Sequence, residues 1–569
     1  MLIDAKKQWD RKKIYTASIF VILVFSFAFN VWKSFYGYCS TDESFFLTLA
    51  HRFIMGDAPV VDEWHPTQFA GMLITPLFWL YTKINGSTTG ILLFFRISYS
   101  VITAVCSLIL AKKTDSYLWG SCAAVAFFAL YSKAQMGTLD YNSIGISCVL
   151  LCSLILCFDD RMIRIYLCGI LFAAAVLCTP HLAILYFGVT VFLGVQALSK
   201  RGFQKETAKK WIAFTMGSLS LATVIIVFML SKASLAGIIR NFPYLFKSDP
   251  SHKALGFGPV VQTLALFKMV WLTSKLSTFI VPIYAVLALA VIFDKNKSEH
   301  AQKYLLFSVL LSAVLLFAYI NKPVYDYSSI VLTPIGLIVI LLDPAIDRKL
   351  KMFWLCGIGY IFMINLSSDT VIAAASSASV ISGIASLLLL YQYYHLNASK
   401  FNLNRMLRFS VHIFCALLVL VEIDSKFTMI YRDESPMSLH FQITEGPAKG
   451  LITTQENKAK YDLSISALNQ LQLEKNKKVF LVTDQAWMYL YLEDKSYGTY
   501  SAWFKPHRES YVKLLDDYYM LNPQKVPDAV FMPADTPDYF FKISAFGKKY
   551  HMQLKMSQFG YYLYKDISQ

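Results

Sequence analysis

Two clusters of ionisable residues occur in the segment 37–87, beside long apolar runs. The first cluster is Asp42 and Glu43, and the second is Asp62, Glu63 and His65. A carboxylate beside a lipid surface is costly unless it is solvated, paired or functional, and it can act as a general base for a hydroxyl or amine. Carboxylate and imidazole groups can also bind a divalent ion, for which Glu63 and His65 are the candidate ligands. A solvated polar loop is the alternative interpretation.

The composition indicates that a lipid bilayer is the main solvent of this chain. Of its 569 residues, 56% are hydrophobic and only 16% are charged, and the mean hydropathy is +0.47. Soluble domains carry roughly 25% charged residues, and disordered chains are far less apolar. The composition therefore argues against a soluble multidomain enzyme and against a disordered protein.

Apolar runs predict thirteen membrane-spanning helices. A span needs roughly 20 apolar residues, and the run 14–32 fits that length without a charge. The uncharged stretch 165–199 is too long for one crossing, so we divide it at Pro180-His181. The shorter run 66–84 is predicted to be an interfacial or re-entrant helix. The other predicted spans are 88–111, 117–134, 141–158, 165–180, 182–199, 211–231, 276–293, 304–321, 327–342, 352–368, 370–392 and 407–424.

The distribution of Lys and Arg predicts the orientation. With the N-terminus in the cytoplasm, the inner loops are richer in Lys and Arg than the short outer loops, as the positive-inside rule requires. Thirteen crossings then place 425–569 outside, in a plasma membrane. Most of the net charge of +16 lies on the membrane part. Contact with anionic lipid explains that charge, so no nucleic-acid partner is predicted.

The predicted fold is an all-α polytopic membrane domain, 1–424, followed by a small α/β extracytoplasmic domain, 425–569. The second domain is long enough for its own core. Within it a helix is predicted at 461–474. Short strands are predicted at 479–484, 528–534 and 560–566.

The first outer loop resembles the corresponding region of GT-C glycosyltransferases, especially the group similar to aminoarabinose transferases and protein mannosyltransferases. The shared features are an acidic pair after the first span, an amphipathic helix, a Gly-Asp turn, a Pro-containing stretch and two apolar helices separated by Gly. In this chain they are Asp42-Glu43, the helix 44–55, Gly56-Asp57, His65-Pro66, the helix 67–84, Gly86 and the early Arg96 of the next helix.

This resemblance implies transfer of a sugar from a polyprenyl-phosphate carrier to a glycan, lipid or protein acceptor at the outer face. It makes Asp42 the expected base, with Glu43 beside it, and implies inversion at the anomeric carbon. Phe45-Phe46 stand where aminoarabinose transferases carry a basic residue. His65-Pro66-Thr67 stand where those enzymes have a Lys-Pro-Pro-like element. Neither the sugar nor the acceptor can therefore be carried over.

A lipid-phosphate donor needs cations at the outer interface. Arg240 and Lys247, in the loop 232–275, are the predicted phosphate ligands, with His181 as a further candidate. The alternative for these residues is anchoring or packing at the interface. Asp62, Glu63, His65 and Asp140 are candidate substrate-binding residues, although Asp140 could equally be a helix N-cap.

Two other classes of function stay open at this stage. One is a transporter or lipid-linked-sugar flippase, although such proteins usually place ionisable groups in mid-span. The other is a polysaccharide polymerase or ligase, which would rely on a large, later outer loop such as 232–275.

Overall fold

The structure is a computed structural model that describes residues 2–199, 205–247, 277–319, 328–367, 372–397, 405–471, 473–536 and 540–565. Its helices are α1 (Leu2–Ser34), α2 (Asp42–Ile54), α3 (Gln68–Asn85), α4 (Ile91–Lys113), α5 (Leu118–Leu130), α6 (Tyr141–Phe158), α7 (Met162–Cys178), α8 (Leu182–Ser199), α9 (Lys205–Lys232), α10 (Leu235–Asn241), α11 (Ser277–Phe293), α12 (Lys297–Tyr319), α13 (Ser328–Leu342), α14 (Arg348–Ser367), α15 (Ile372–Ala378), α16 (Val380–Asn397), α17 (Arg405–Thr428), α18 (Gln455–Asn469), α19 (Trp487–Tyr491), α20 (Glu509–Leu521) and α21 (Ile543–Lys549). Short 3₁₀ helices occur at Asp115–Tyr117, Lys133–Gln135, Phe242–Phe246, Pro436–Ser438 and Pro523–Lys525.

The protein is a polytopic helical chain with a C-terminal sheet, as predicted. Each predicted span coincides with a helix, and the span 370–392 corresponds to two helices that meet at Ser379. Six helices within the described residues are long and apolar enough to cross a membrane: the Asp10–Ser34 part of α1, α4, α6, α9, and the main parts of α14 and α17. Four shorter apolar helices accompany them. The number thirteen therefore stays a prediction.

Close backbone packing joins some of the helices. Gly169 of α7 and Gly217 of α9 face each other, and a Cβ on Gly217 would lie 1.9 Å from the Tyr166 carbonyl oxygen. Glycines at a helix–helix contact let the two backbones approach closely, and such contacts are common between membrane helices. A second group, α13, α14 and α16, forms much of the largest apolar core together with α5 and α6.

The C-terminal part contains a five-stranded mixed sheet in the order β4-β3-β5-β7-β6. Its strands are β3 (Lys478–Leu481), β4 (Ser496–Tyr497), β5 (Ala529–Pro533), β6 (Met552–Ser557) and β7 (Gly560–Lys565), and a separate antiparallel pair is β1 (Phe441–Gln442) with β2 (Ile452–Thr453). The strands β4, β3 and β5 are parallel, whereas β5, β7 and β6 are antiparallel. The α/β prediction is thus confirmed, and the three predicted strands correspond to β3, β5 and β7.

The first outer loop is built into the C-terminal part. Trp64 is fully buried in the same apolar cluster as Phe480, Tyr500 and Tyr518. Backbone hydrogen bonds also join the end of α1 to β2, because the Gly37 amide donates to the Ile452 carbonyl over 2.7 Å. The division into 1–424 and 425–569 stays a prediction, and the two parts share one packed interface.

Candidate functional site

The two carboxylates at the start of α2 have different surroundings. The helix begins at Asp42, and Thr41 precedes it without a side-chain capping bond. The positive end of the helix dipole stabilises acidic residues in the first turn. This accounts for the start of α2 at residue 42, two residues before the predicted start at 44. The side chain of Asp42 is 17% exposed, whereas that of Glu43 is completely buried. Only Asp42 of this pair therefore offers solvent or a substrate access to its carboxylate.

Residues that directly follow α17 hold the Asp42 carboxylate. The Tyr431 hydroxyl donates to Asp42 Oδ2 over 2.7 Å, and a guanidinium nitrogen of Arg432 lies 3.1 Å from the same oxygen. Burial and the nearby Asp42 raise the pKa of Tyr431, so this phenol stays a hydrogen-bond donor. Arg432 also donates to the hydroxyl of Thr41. The segment that follows α17 thus fixes the Asp42 carboxylate at the start of α2.

Glu43 forms a buried, bidentate ion pair with Arg96 of α4. The two nitrogen–oxygen distances are 2.5 and 2.6 Å. Arg96 also donates to the carbonyl oxygens of Ser34 and Tyr36 over 3.1 and 3.0 Å. Parallel hydrogen bonds of this kind fix geometry as well as charge. Arg96 therefore ties α4 to the first loop, and the Glu43 carboxylate is fully engaged and buried.

The second acidic cluster is organised by Arg52, which sequence analysis did not select. Arg52 pairs with Asp57 over 2.5 Å and with Glu63 over 2.6 Å, and it is fully buried. Its remaining hydrogen bonds go to the carbonyl oxygens of Asp62 and Thr499. Burial raises the pKa of Glu63 to about 7, against the opposing effect of Arg52. The cluster therefore ties the first loop to the C-terminal part.

Asp62 and His65 lie at the edge of that cluster. Asp62 accepts from the Ala58 amide over 2.7 Å and lies 3.5 Å from the Lys525 ammonium. His65 Nδ1 accepts from the Thr67 hydroxyl over 2.8 Å, and its ring contacts Trp503. The spacing of Asp62 and His65 in the sequence did not indicate that Lys525 and Trp503 would lie beside them.

The donor set around Glu63 does not fit a metal centre. One Glu63 oxygen accepts from Arg52 and the other from the His65 amide over 2.9 Å. Within the described ranges, no group of three or more His, Cys, Asp or Glu side chains could hold a metal ion. A divalent ion at Glu63 and His65 stays a prediction from the sequence, and no step proposed below is routed through one.

A third carboxylate, Asp484, lies close to Arg432 although sequence analysis did not select it. It follows the carboxyl end of β3, the position where parallel sheets commonly form their binding crevices. Burial raises the pKa of Asp484, and the charges of Arg432, His507 and Lys505 oppose that rise. The signal that could have found it was the run VFLVTD, predicted as a strand over 479–484, because this run ends on Asp484.

The predicted phosphate ligands Arg240 and Lys247 belong to a segment that contacts Trp64 of the first loop. Both side chains are exposed, and Lys247 packs over the ring of Tyr244 at 4.8 Å. Tyr244 stacks in turn on Trp64, with 4.3 Å between ring centroids. Among the described residues, no contact joins Arg240 or Lys247 to Asp42. The remaining cations of that loop, from His252 to Lys275, lie outside the described residues.

Asp140 and His181 adjoin helix ends. Asp140 is the N-cap of α6: it accepts from the Ser143 amide over 2.7 Å, and the Ser143 hydroxyl accepts from the Asp140 amide in return. The N-cap alternative is therefore confirmed, and a substrate role for Asp140 stays a prediction. His181 begins the turn before α8, and its Nδ1 has no hydrogen-bond partner within the described segments. Its phosphate role stays a prediction.

Comparisons with known proteins place solved oligosaccharyltransferase structures beside this chain. No family model and no curated protein matches it. It is similar to the archaeal oligosaccharyltransferase AglB from Archaeoglobus fulgidus in complex with an inhibitory peptide and a dolichol-phosphate, at 12% identity and a TM-score of 0.43, over 99% of this chain and 75% of that one. The structure of the Archaeoglobus fulgidus enzyme tethered to an acceptor peptide is similar at 12% identity and a TM-score of 0.43, over 97% of this chain and 74% of that one. The structure of its complex with Zn and sulfate is similar at 13% identity and a TM-score of 0.36, over 90% of this chain and 68% of that one.

Proposed function

We propose that this protein is a membrane glycosyltransferase that moves a sugar from a polyprenyl-phosphate carrier to an acceptor hydroxyl or amine at the outer face. The observation that carries the proposal is the position of Asp42. This partly exposed carboxylate lies between the ends of α1 and α17, and Arg432 links it to the carboxyl end of β3. A lipid-borne donor can reach such a place from the bilayer, and a soluble acceptor can reach it from outside.

In the proposed reaction Asp42 acts as the general base. Its carboxylate takes the proton of the acceptor, whose oxygen or nitrogen forms a bond to the anomeric carbon. The bond from that carbon to the carrier's phosphate oxygen breaks on the opposite side, which inverts the centre and releases polyprenyl phosphate. Tyr431 and Arg432 fix the carboxylate for this step, since orientation of reacting groups lowers the barrier substantially.

The C-terminal part supports acceptor binding in this proposal. Lys505 and His507 offer charged and hydrogen-bonding groups around Asp484, and Trp503 supplies an aromatic face beside Lys505 at 4.0 Å. A site of this composition suits a polar acceptor. The proposal includes a plasma-membrane location with a cytoplasmic N-terminus and an extracytoplasmic C-terminal part. A reaction at the outer face requires this orientation, because Asp42 and the C-terminal sheet must both face outward.

The test uses the full-length protein, purified and reconstituted in liposomes with a panel of polyprenyl-phosphate sugars. Mass spectrometry of the cell-envelope glycans with and without the protein identifies the donor and acceptor for the panel. The Asp42→Asn variant is expected to lose transfer by at least ~100-fold, the usual contribution of general-base catalysis. The matched control is Asp535→Asn, a change at an exposed aspartate.

Folding of Asp42→Asn is checked by its elution in size-exclusion chromatography and by its thermal unfolding. Transfer by Asp42→Asn at the rate of Asp535→Asn would remove Asp42 from the chemistry. Solute or lipid movement without any new glycosidic bond would instead favour the transporter or flippase.

A further inference from the structure

The five-stranded sheet of the C-terminal part has an open edge at β6. β6 is the last strand in the order β4-β3-β5-β7-β6, and among the described residues only β7 pairs with it. The opposite edge lies against α2, because His51 contacts Tyr497 of β4 and Arg52 donates to the Thr499 carbonyl just beyond it. An edge strand carries backbone amide and carbonyl groups with which a further extended segment can pair.

A cavity of about 440 Å³ lies beside this open edge. One wall is α21, whose residues Ser544, Gly547 and Lys548 are three or four positions apart and so share a face. The other wall is the turn residue His551 with the first three residues of β6, and Leu563 of β7 also lines the cavity. A groove between a helix and an edge strand suits an extended peptide, which can pair with the strand and pack against the helix.

One face of β6 is apolar and exposed. Met552, Leu554 and Met556 alternate along the strand and therefore point to the same face of the sheet. This is the face that α21 partly covers, because Leu554 lies opposite Leu563 and Leu563 packs in one apolar cluster with Phe546 of α21. The cover is incomplete, since Leu554 is 40% exposed and Met556 is 70% exposed. Apolar side chains of an added strand would remove this surface from water.

The surroundings of the edge are basic. Lys555 points to the opposite face of β6, where its ammonium lies 5.3 Å from the ring centroid of Tyr564. Lys548 and His551 line the cavity, whose lining contains no acidic residue. Within the described ranges, none of these three basic side chains forms an ion pair. A lysine on an edge strand disfavours an apolar or basic neighbour, so the strand that fits here is acidic.

We infer that the β6 edge binds an extended segment of a second protein in which apolar and acidic residues alternate. The segment adds a strand to the sheet through backbone hydrogen bonds, which supply affinity. Its apolar side chains cover Leu554 and Met556, and its acidic side chains lie beside Lys555 on the other face, with a further acidic group at Lys548. This interaction goes beyond the proposed transfer reaction and does not depend on it.

Fluorescence anisotropy measures the binding of synthetic peptides to the full-length protein in detergent micelles. The probe is a labelled peptide of about eight residues, within the usual length of a strand, in which glutamate and valine alternate. The matched control peptide has lysine in place of glutamate. We expect saturable binding of the glutamate peptide that weakens as the salt concentration rises, and binding of the lysine peptide that is weaker by at least ~10-fold.

Methylated peptide backbones separate strand addition from a simple effect of charge. In an added strand only alternate residues of the peptide turn their amides towards the edge. Methylation of one alternate set of amides in the glutamate peptide should therefore abolish binding, and methylation of the other set should preserve it. Equal binding of the two methylated peptides would overturn the inference, and so would equal binding of the glutamate and lysine peptides.

Protein variants locate the binding site. Lys548→Glu combined with Lys555→Glu should weaken binding of the glutamate peptide by at least ~10-fold, because two attractions become repulsions, and should strengthen binding of the lysine peptide. The control is Lys475→Glu, at an exposed lysine that does not line the cavity. Both lysines of the double variant are exposed, and thermal unfolding checks its fold.

Wild-type affinity for the glutamate peptide in the double variant would place its binding elsewhere and overturn the inference. Light scattering of the detergent-solubilised protein tests for the other occupant of an open edge, a second copy of this chain. A dimer that the double variant abolishes would show that two copies pair through β6, which would overturn the assignment of an acidic partner.

Discussion

Replacement of Arg52 by Met tests whether the first outer loop is held by one buried cation. In the structure Arg52 faces two carboxylates, Asp57 and Glu63, whose side chains are 4% and 0% exposed. Removal of one partner from a buried ion pair typically costs about 3–5 kcal/mol. Asp57 keeps the Lys525 ammonium at 2.5 Å, so at a pH above the pKa of Glu63 the buried charge left without a counter-charge is that of Glu63. Methionine fills much of the same volume, so the loss of charge dominates over the loss of packing.

The expected effect on thermal unfolding follows from that cost. In domains of about 150–250 residues, about 1 kcal/mol corresponds to roughly 2–4 °C, and on that scale Arg52→Met should lower the unfolding temperature by roughly 6–20 °C. Tryptophan fluorescence in detergent micelles is a suitable readout, since Trp64 and Trp487 are buried on the two sides of the interface. The control is Arg508→Met, at an exposed arginine.

A double variant separates charge from shape in the same experiment. Arg52→Met combined with Glu63→Gln removes the carboxylate charge that loses its partner, while Asp57 keeps Lys525, so the double variant should recover part of the loss. An Arg52→Met protein that unfolds at the same temperature as Arg508→Met would refute the assignment of Arg52 as the organising residue.

Two further predictions concern stability. Burial raises the pKa of Glu63 from 4.5 to about 7 in the folded protein, so between these pH values the folded state binds a proton that the unfolded state does not. The free energy of unfolding should fall as the pH rises through that window, and unfolding temperatures measured across it should change less in Glu63→Gln. At the α7–α9 contact, Gly217→Ala should destabilise the protein by about 1–3 kcal/mol, because its Cβ would clash with the Tyr166 carbonyl. Gly188→Ala, where a Cβ meets nothing within 4 Å, should leave thermal unfolding unchanged.

The helices were predictable because their apolar pattern is local. Every predicted span coincides with a helix, since a run such as 141–158 carries its own length, composition and cap in consecutive residues. The strand VFLVTD was found on the same grounds, as a short buried run. In contrast, β6 reads MQLKMS and is mostly exposed, so its sequence lacks a buried-strand pattern. Its position is fixed by pairing with β7.

The site was only partly predictable because its partners are distant in sequence. The acidic pair was visible as a pair, but the difference between Asp42 and Glu43 depends on Arg432 and Arg96, which lie 390 and 53 positions away. Arg52 was overlooked because an arginine within an amphipathic helix is usually an exposed residue. Asp62 and Glu63 appeared available for a substrate because the residues next to them in sequence do not indicate that the buried Arg52 guanidinium bonds to their segment.

The proposed reaction requires the ends of α1 and α17 to be held together, and Lys33 supplies that contact. Lys33 ends α1 and donates to carbonyl oxygens at the end of α17, where the helix dipole favours a cation. Three residues further on, α17 leads into Tyr431 and Arg432, which fix Asp42. On this reasoning, Tyr431→Phe removes a hydrogen bond that orients Asp42, so it should lower the rate of transfer in the liposome assay while the protein still folds. Transfer by Tyr431→Phe at the wild-type rate would show that the Tyr431 hydroxyl does not position the base.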